Sequence, residues 1–300
     1  MKTTLRGIVP PIVTPLLDDN TLDIEGLERL IEHVVEGGVH GIFILGTTGE
    51  SQNLGYGLRC EMITQSARIL KNRIPLLVGI SDTSIADSIA LANVASEFGA
   101  DAVVSAPPYY YATAQAELVD FYNVLIPQLP LPIFLYNMPT HTKTSFAPST
   151  IRKIAENPKV IGFKDSSASG GYFQSVMHEF HDRPDFALFV GPEEMMAESV
   201  LMGAHGGVNG GANMFPKLYV ELYNAAVAKD IEKVHELHAK VMQISSTIYT
   251  VGSYGSSYLQ GVKAGLNVLG ICSDVLATPF TKFDDQNKDK IREAIKNLRF

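Results

Sequence analysis

Eight short apolar runs, spaced mostly about 27 to 34 residues apart, punctuate this chain, and that rhythm restricts its fold more than any other feature. They are Ile8–Val13, Gly41–Leu45, Pro75–Ile80, Ala102–Ser105, Pro132–Tyr136, Val160–Lys164, Phe186–Val190 and Gly206–Val208. Uncharged runs of this length read as strands buried on both faces, the habit of a parallel sheet. Between them lie helical stretches. Leu27, Leu30, Ile31, Val34 and Val35 share one face, and Gly37-Gly38 follows as a stop signal. Ser84 opens another helix, with Asp87 three residues on in a weaker form of the capping box. Repeated strand–helix units predict an α/β fold with a parallel sheet, and eight of them predict a closed (β/α)8 TIM barrel. A helix over 216–228 completes the barrel, which is assigned residues 1–228. Helices over 230–249, 257–270 and 286–298 form a C-terminal extension, 229–300. No Pro/Gly/Ser-rich linker precedes it, so it is expected to pack on the barrel, with Lys288 to Arg299 as an amphipathic surface helix.

Composition narrows the partners. A net charge of −8 argues against nucleic acid or an anionic membrane, but not against a small anionic substrate held by local donors. Cys60 and Cys272 make neither a disulfide framework nor a zinc pattern, and are expected as buried thiols in a reducing compartment. The N-terminus has no signal-peptide core, and no apolar run approaches the roughly 18 residues of a membrane span. A soluble cytoplasmic chain is therefore expected. No metal is expected either: His178/His181 and His235/His238 are spaced i, i+3 but lie away from the strand ends.

In a barrel the chemistry sits where the strands end. The sixth run, Val160-Ile161-Gly162-Phe163-Lys164, is apolar until it stops abruptly in a lysine, and Asp165-Ser166 follow. Burial disfavours the ammonium form of such a residue and can supply the free amine that attacks a carbonyl. Lys164 is thus a candidate Schiff-base nucleophile, against the plainer reading of a solvated charge at a strand edge. The second run leads into Gly46-Thr47-Thr48-Gly49-Glu50, the fourth into Tyr109-Tyr110-Tyr111, and the fifth into Tyr136-Asn137-Met138-Pro139. The seventh leads into Glu193-Glu194, and the eighth into Asn209-Gly210-Gly211. Each has a structural alternative: a plain turn, a rim aromatic, or an acidic first helical turn. Hydroxyls, phenols, one lysine and glycine turns all meeting at one rim argue for a shared site.

Gly46-Thr47-Thr48-Gly49-Glu50, Tyr136-Asn137-x-Pro139 and Lys164-Asp165-Ser166 resemble, in order and spacing, the signatures of the dihydrodipicolinate synthase/N-acetylneuraminate lyase family. The likeness covers essentially the whole chain. It implies class I aldolase chemistry, in which pyruvate or the pyruvoyl end of a 2-keto acid forms an imine with Lys164, with no cofactor. It further implies Tyr136 as the proton-shuttling phenol, and Thr47 and Tyr110 as its relay, with Tyr110 reaching in from a neighbouring subunit. Thr48, Gly46 and the amides around them would cradle the carboxylate; Asn209 and Gly210 are further substrate-binding candidates, the Gly206–Gly211 glycines being expected to allow close backbone packing against Lys164. A homotetramer, a dimer of dimers, is expected on the same ground.

One departure bears on substrate. The synthases carry an arginine shortly after Tyr-Asn-x-Pro for the second substrate's carboxylate, and here that position resembles His141. Histidine is only partly charged at neutral pH and cannot make the bidentate fork. Glu193 and Glu194 fall where sialic-acid lyases meet substrate hydroxyls, and carboxylates are acceptors suited to a polyol. A 2-keto-3-deoxy sugar acid or sialic-acid-like substrate is therefore expected. The alternatives are 4-hydroxy-tetrahydrodipicolinate synthase activity with aspartate semialdehyde, and a dehydratase using the same imine. A barrel binding phosphate at Gly206–Gly211 and a non-catalytic binding protein also stay open.

Overall fold

The protein is described here over residues 4–298 of a computed structural model. The expected strands form one eight-stranded parallel sheet: β1 (Gly7–Ile8), β2 (Ile42–Ile44), β3 (Leu76–Gly79), β4 (Ala102–Ser105), β5 (Ile133–Asn137), β6 (Val160–Asp165), β7 (Ala187–Val190) and β8 (Gly206–Gly207). Each strand pairs with the next from β2 to β8, and β8 pairs with β1. The circle closes between β1 and β2, where the strand predicted over Ile8–Val13 proves much shorter. Pro10 and Pro11 have no N–H to give a ladder. The seam is closed by His40 N–H to Ile8 O at 2.8 Å, Phe43 N–H to Pro10 O at 3.0 Å and Ile12 N–H to Phe43 O at 2.9 Å. The resulting (β/α)8 barrel with C-terminal helices is the fold the sequence predicts.

The period-2 alternation of the strands divides the core in two. Outward-facing Ile8, Ile42, Ile44, Val78, Val103, Leu135 and Phe163 join the helices in the larger apolar layer. Inward-facing Val9, Phe43, Leu77, Val104, Phe134 and Phe189 fill the lumen. Gly162 is needed there, because a Cβ on it would stand 2.3 Å from the Phe134 ring and 2.6 Å from the Ala187 carbonyl oxygen. A hairpin, Leu16–Asp18 with Thr21–Leu22, was not foreseen from the sequence. Helix Ile24–Glu36 is capped by the Asp23 carboxylate, and Gly38 turns the chain at φ +82°. Ser84 caps its helix from the Asp87 N–H as expected. Cys272 is buried, but Cys60 is only partly so, and both are free.

Pro216–Ala228 completes the helical ring, and Ile231–Thr247, Ser257–Val268 and Asp285–Asn297 follow it. Arg299, at the end of the predicted amphipathic tail, lies outside the described residues. The extension is tied to the barrel by a fully buried ion pair between Lys263 and Glu50. Lys263 also donates to the Val275 carbonyl at 2.6 Å, and the Ala277 N–H donates to Glu50 at 2.9 Å. Burial pushes the Lys263 amine below its ordinary value against the opposing pull of Glu50. Such a pair contributes little net stability when intact, yet losing one partner strands a charge in the core. Lys263→Met should cost about 3–5 kcal/mol in urea unfolding, and adding Glu50→Gln should recover part of that loss. Equal losses in the single and double variants would show that the pair is not coupled.

Candidate active site

The β5–β6 register sets the site. Tyr136 lies opposite Lys164, and Asn137 opposite Asp165 one step on. Alternation sends the first pair into the barrel mouth and the second outward. There the Asn137 amide donates to Asp165 at 2.8 Å and Asn137 Oδ1 accepts from Phe146 N–H at 3.2 Å. The N–H and hydroxyl of Ser167 also donate to Asp165, at 3.1 and 2.8 Å. Burial pushes the Asp165 carboxyl up despite these donors. The outer pair thus braces the strand ends that carry the inner pair.

Lys164 is 6 % exposed. Its amine stands 3.9 Å from the Tyr136 ring centroid and 5.3 Å from that of Phe43, above the apolar lumen. The Tyr136 hydroxyl is 3.3 Å from that of Thr47. Burial pushes the Tyr136 phenol up, but the Lys164 charge and hydrogen bonds with Thr47, Ser166 and Lys164 outweigh it and leave the phenol below its ordinary value. These residues open onto a cavity of about 690 Å³ at the carboxyl ends of the strands. Leu45 and Glu50, both at φ +56°, bracket Gly46-Thr47-Thr48-Gly49. Left-handed backbone at a leucine is unusual and marks a loop held by its surroundings. Gly79 makes room for that turn: a Cβ there would lie 2.0 Å from the Leu45 carbonyl oxygen.

Of the residues singled out from the sequence, Lys164, Tyr136, Thr47, Thr48, Gly46, His141, Glu193, Glu194 and Gly210 all line this cavity. His141 sits on the short helix Pro139–Thr142 with its ring 3.0 Å from the Thr140 hydroxyl, and burial pushes it down towards the neutral form. Two placements differ from the expectation. Asn209 lies behind the wall, fully buried, donating to the Gly191 carbonyl at 2.9 Å. Tyr110 is 68 % exposed and outside the cavity of its own chain, where Tyr109 stands instead.

Glu193 is already engaged within its own chain. It was expected to offer its carboxylate to substrate hydroxyls, but it is buried and already accepts from Gly211 N–H at 2.9 Å, Tyr219 at 2.5 Å and Tyr249 at 2.7 Å. Glu194 is half-buried and accepts from the Ser245 hydroxyl. The sequence reading also missed Tyr249, Tyr258, Leu259 and Phe280, which form a cavity wall from the C-terminal extension. A tyrosine-rich stretch broken by Gly252 and Gly255 was the available signal. Among the described residues no cluster suited to a metal ion occurs, and no helix is long and apolar enough to cross a membrane.

The sequence profile of the Dihydrodipicolinate synthetase family matches residues 4–298. The structure resembles that of dihydrodipicolinate synthase from the commensal bacterium Bacteroides thetaiotaomicron, with a TM-score of 0.97 and 66 % identity over 99 % of this chain and 100 % of that one. It also resembles YagE, a prophage protein of the dihydrodipicolinic acid synthase family from Escherichia coli K12 solved in complex with pyruvate. There the TM-score is 0.92 and the identity 27 %, over 98 % of both chains. The probable 2-dehydro-3-deoxy-D-pentonate aldolase YjhH of Escherichia coli K12 is 28 % identical over 95 % of this chain and 94 % of its own length. The chain belongs to the dihydrodipicolinate synthetase family. It is a carbon–carbon lyase of the class I aldolase type.

Burial pushes the Glu193 carboxyl up to about 7, against the opposing effect of its three donors. Between its ordinary value near 4.5 and about 7 the folded protein holds a proton that the unfolded chain has released. The stability this proton confers is complete below the lower value and is lost as pH rises through the upper one. Wild type should therefore lose on the order of 3 kcal/mol relative to Glu193→Gln across that window. Parallel pH–stability curves for the two proteins would exclude the effect.

Proposed function

We propose that this enzyme uses Lys164 to form an imine with pyruvate, or with the pyruvoyl end of a 2-keto acid, and makes or breaks the C3–C4 bond next to it. The observation that carries the reading is the lysine amine placed over the Tyr136 ring at the mouth of an apolar lumen. In the cleavage direction the amine adds to C2 and water leaves. The phenolate of Tyr136 takes the proton of the C4 hydroxyl, the C3–C4 electron pair moves towards the iminium nitrogen, and an aldehyde departs. The resulting enamine is protonated at C3 by the Tyr136 phenol, with Thr47 as relay, and hydrolysis frees pyruvate. Thr48 and the amides of the Gly46–Gly49 turn are assigned to the carboxylate, since oriented N–H and O–H donors suit it without a bulky cation. That YagE was solved in complex with pyruvate supports pyruvate as the keto acid.

For the aldehyde half, among the described residues the cavity lining includes no arginine and one lysine, Lys164, and His141 is held towards the neutral form. An anionic semialdehyde would find no dedicated cation there. Gln52, Asn53, His141 and Glu194 offer hydrogen-bonding groups to a hydroxylated chain instead. A 2-keto-3-deoxy sugar acid is the substrate class that fits best, and the likeness to YjhH supports it. The second reading, condensation of pyruvate with aspartate semialdehyde, is favoured by the 66 % identity to the Bacteroides synthase. The active form is proposed as a homotetramer in which Tyr110 enters a neighbour's cavity, because Tyr110 and Tyr111 are otherwise left as an exposed aromatic pair.

Borohydride with pyruvate should fix a three-carbon adduct on Lys164 by peptide mapping, and Lys164→Ala or Lys164→Arg should lower turnover about a thousandfold or more. No adduct, or one on Lys143 or Lys263, would end the imine reading. Inactive Tyr110→Phe and Lys164→Ala subunits should complement when co-assembled, and a fully active monomer would exclude the shared site.

Retro-aldol release of pyruvate from keto-deoxy sugar acids should outrun condensation with aspartate semialdehyde in kcat/KM. His141→Arg should shift that ratio towards the semialdehyde by roughly ten- to a hundredfold. A wild-type preference of tenfold or more for the semialdehyde would establish the synthase reading in its place.

A further inference from the structure

Both carboxylate oxygens of Glu193 are engaged, and what they hold are the two sides of a slot. One oxygen takes the Gly211 N–H at 2.9 Å, and the other takes the Tyr219 and Tyr249 hydroxyls at 2.5 and 2.7 Å. Gly210, the neighbour of Gly211, forms one side of the slot: a Cβ there would lie 1.7 Å from the hydroxyl oxygen of Tyr258. The Tyr249 ring forms the other side and meets the Tyr258 ring edge-on, 4.9 Å between centroids. The Tyr258 hydroxyl emerges between them on the cavity wall, 3.2 Å from the Thr48 hydroxyl. Burial pushes all three phenols up from their ordinary value, so each remains a protonated donor. Glu193 faces no cation among the groups bonded to it, and its nearest charged neighbour in sequence is Glu194. Its place is explained by the donors it organises.

We propose that Tyr258 is a further substrate-binding residue, its hydroxyl acting beside Thr48 on the carboxylate of the keto acid, and that Glu193 is the positioning residue that aims it through Tyr249 and the Gly210–Gly211 turn. The proposal rests on the imine reading given above and deepens it. The hydroxyl needs this support because a phenol on a rigid ring has its reach set by the ring's position. A shift of about an ångström turns a good hydrogen bond into a poor one. Glu193 thereby acts through its donors on the carboxylate end of the substrate rather than on the hydroxylated tail.

The test is borohydride trapping on the full-length enzyme across a range of pyruvate concentrations, scored by intact mass. Tyr258→Phe keeps the ring and should raise the pyruvate concentration for half-maximal trapping about tenfold, with the plateau unchanged. Glu193→Gln should shift it in the same direction, and joining the two substitutions should give no more than Tyr258→Phe alone. Should Glu193→Gln not fold, Tyr249→Phe removes only the hydroxyl that Glu193 accepts and should shift half-saturation about threefold. An adduct in wild type with unshifted Tyr258→Phe overturns the binding role while leaving the imine reading intact. Multiplying shifts in the double variant, or no shift in Glu193→Gln or its Tyr249→Phe substitute, overturn the positioning role. No adduct in wild type at any concentration ends the imine reading and this proposal with it.

Discussion

The pairing of β5 with β6, which shifts by one residue at Ile161 and then runs in step from Phe134–Gly162 to Asn137–Asp165, is the constraint on which the rest of the site depends. Because strand side chains alternate, one register places Tyr136 and Lys164 side by side in the barrel and Asn137 and Asp165 side by side outside it. A slip of one residue would turn the amine out among the helices and bring a carboxylate into the lumen. The outer pair is tied to Phe146 and Ser167, so the loops leaving both strands depend on the same register. Gly162, two residues before Lys164, lets the Phe134 ring lie across β6. The floor of the cavity and the amine above it are consequences of one strand's spacing.

Electrostatics follow from that geometry. Tyr136 is buried, which alone would hold its proton more tightly, yet the adjacent Lys164 and the hydroxyls of Thr47 and Ser166 reverse the balance. Glu193, equally buried but surrounded by phenols and an amide, keeps its proton to higher pH than an ordinary carboxyl. Two buried acids on one rim are therefore driven in opposite directions by their neighbours. The difference is the sign and proximity of charge, since both lose water.

Much of this was legible in the sequence because it rests on local patterning. Uncharged runs at regular intervals announced the parallel strands, and the three motifs at strand ends announced Lys164, Tyr136, Thr47 and Thr48 as neighbours. What escaped depends on long-range contacts. The extension read as plain helices, and nothing in their periodicity shows that Tyr249 and Tyr258 reach the cavity from residues about 200 positions beyond Thr48. The partners of Glu193 are hidden for the same reason: Tyr219 and Tyr249 lie on separate elements, so the pattern Glu-Glu after a strand gives no hint that one carboxylate is already engaged. β1 is shorter than its apolar run suggests because Pro10 and Pro11 lack the N–H groups a ladder needs.

The seam between β1 and β2 also bears on how the chain is made. β1 takes its regular ladder from β8, with Gly7 opposite Gly206, while its other edge carries the proline-limited bonds to Phe43. The Asn213 amide then donates to the Pro11 carbonyl at 3.0 Å and accepts from the Val13 N–H at 3.1 Å. A nascent chain leaving the ribosome must wait through some two hundred residues before its first strand finds these partners. Contacts this distant in sequence form slowly and leave strand edges open in the interval. Emergence of the last strand and the turn after it, rather than of any early unit, is the event that lets the ring become a finished domain.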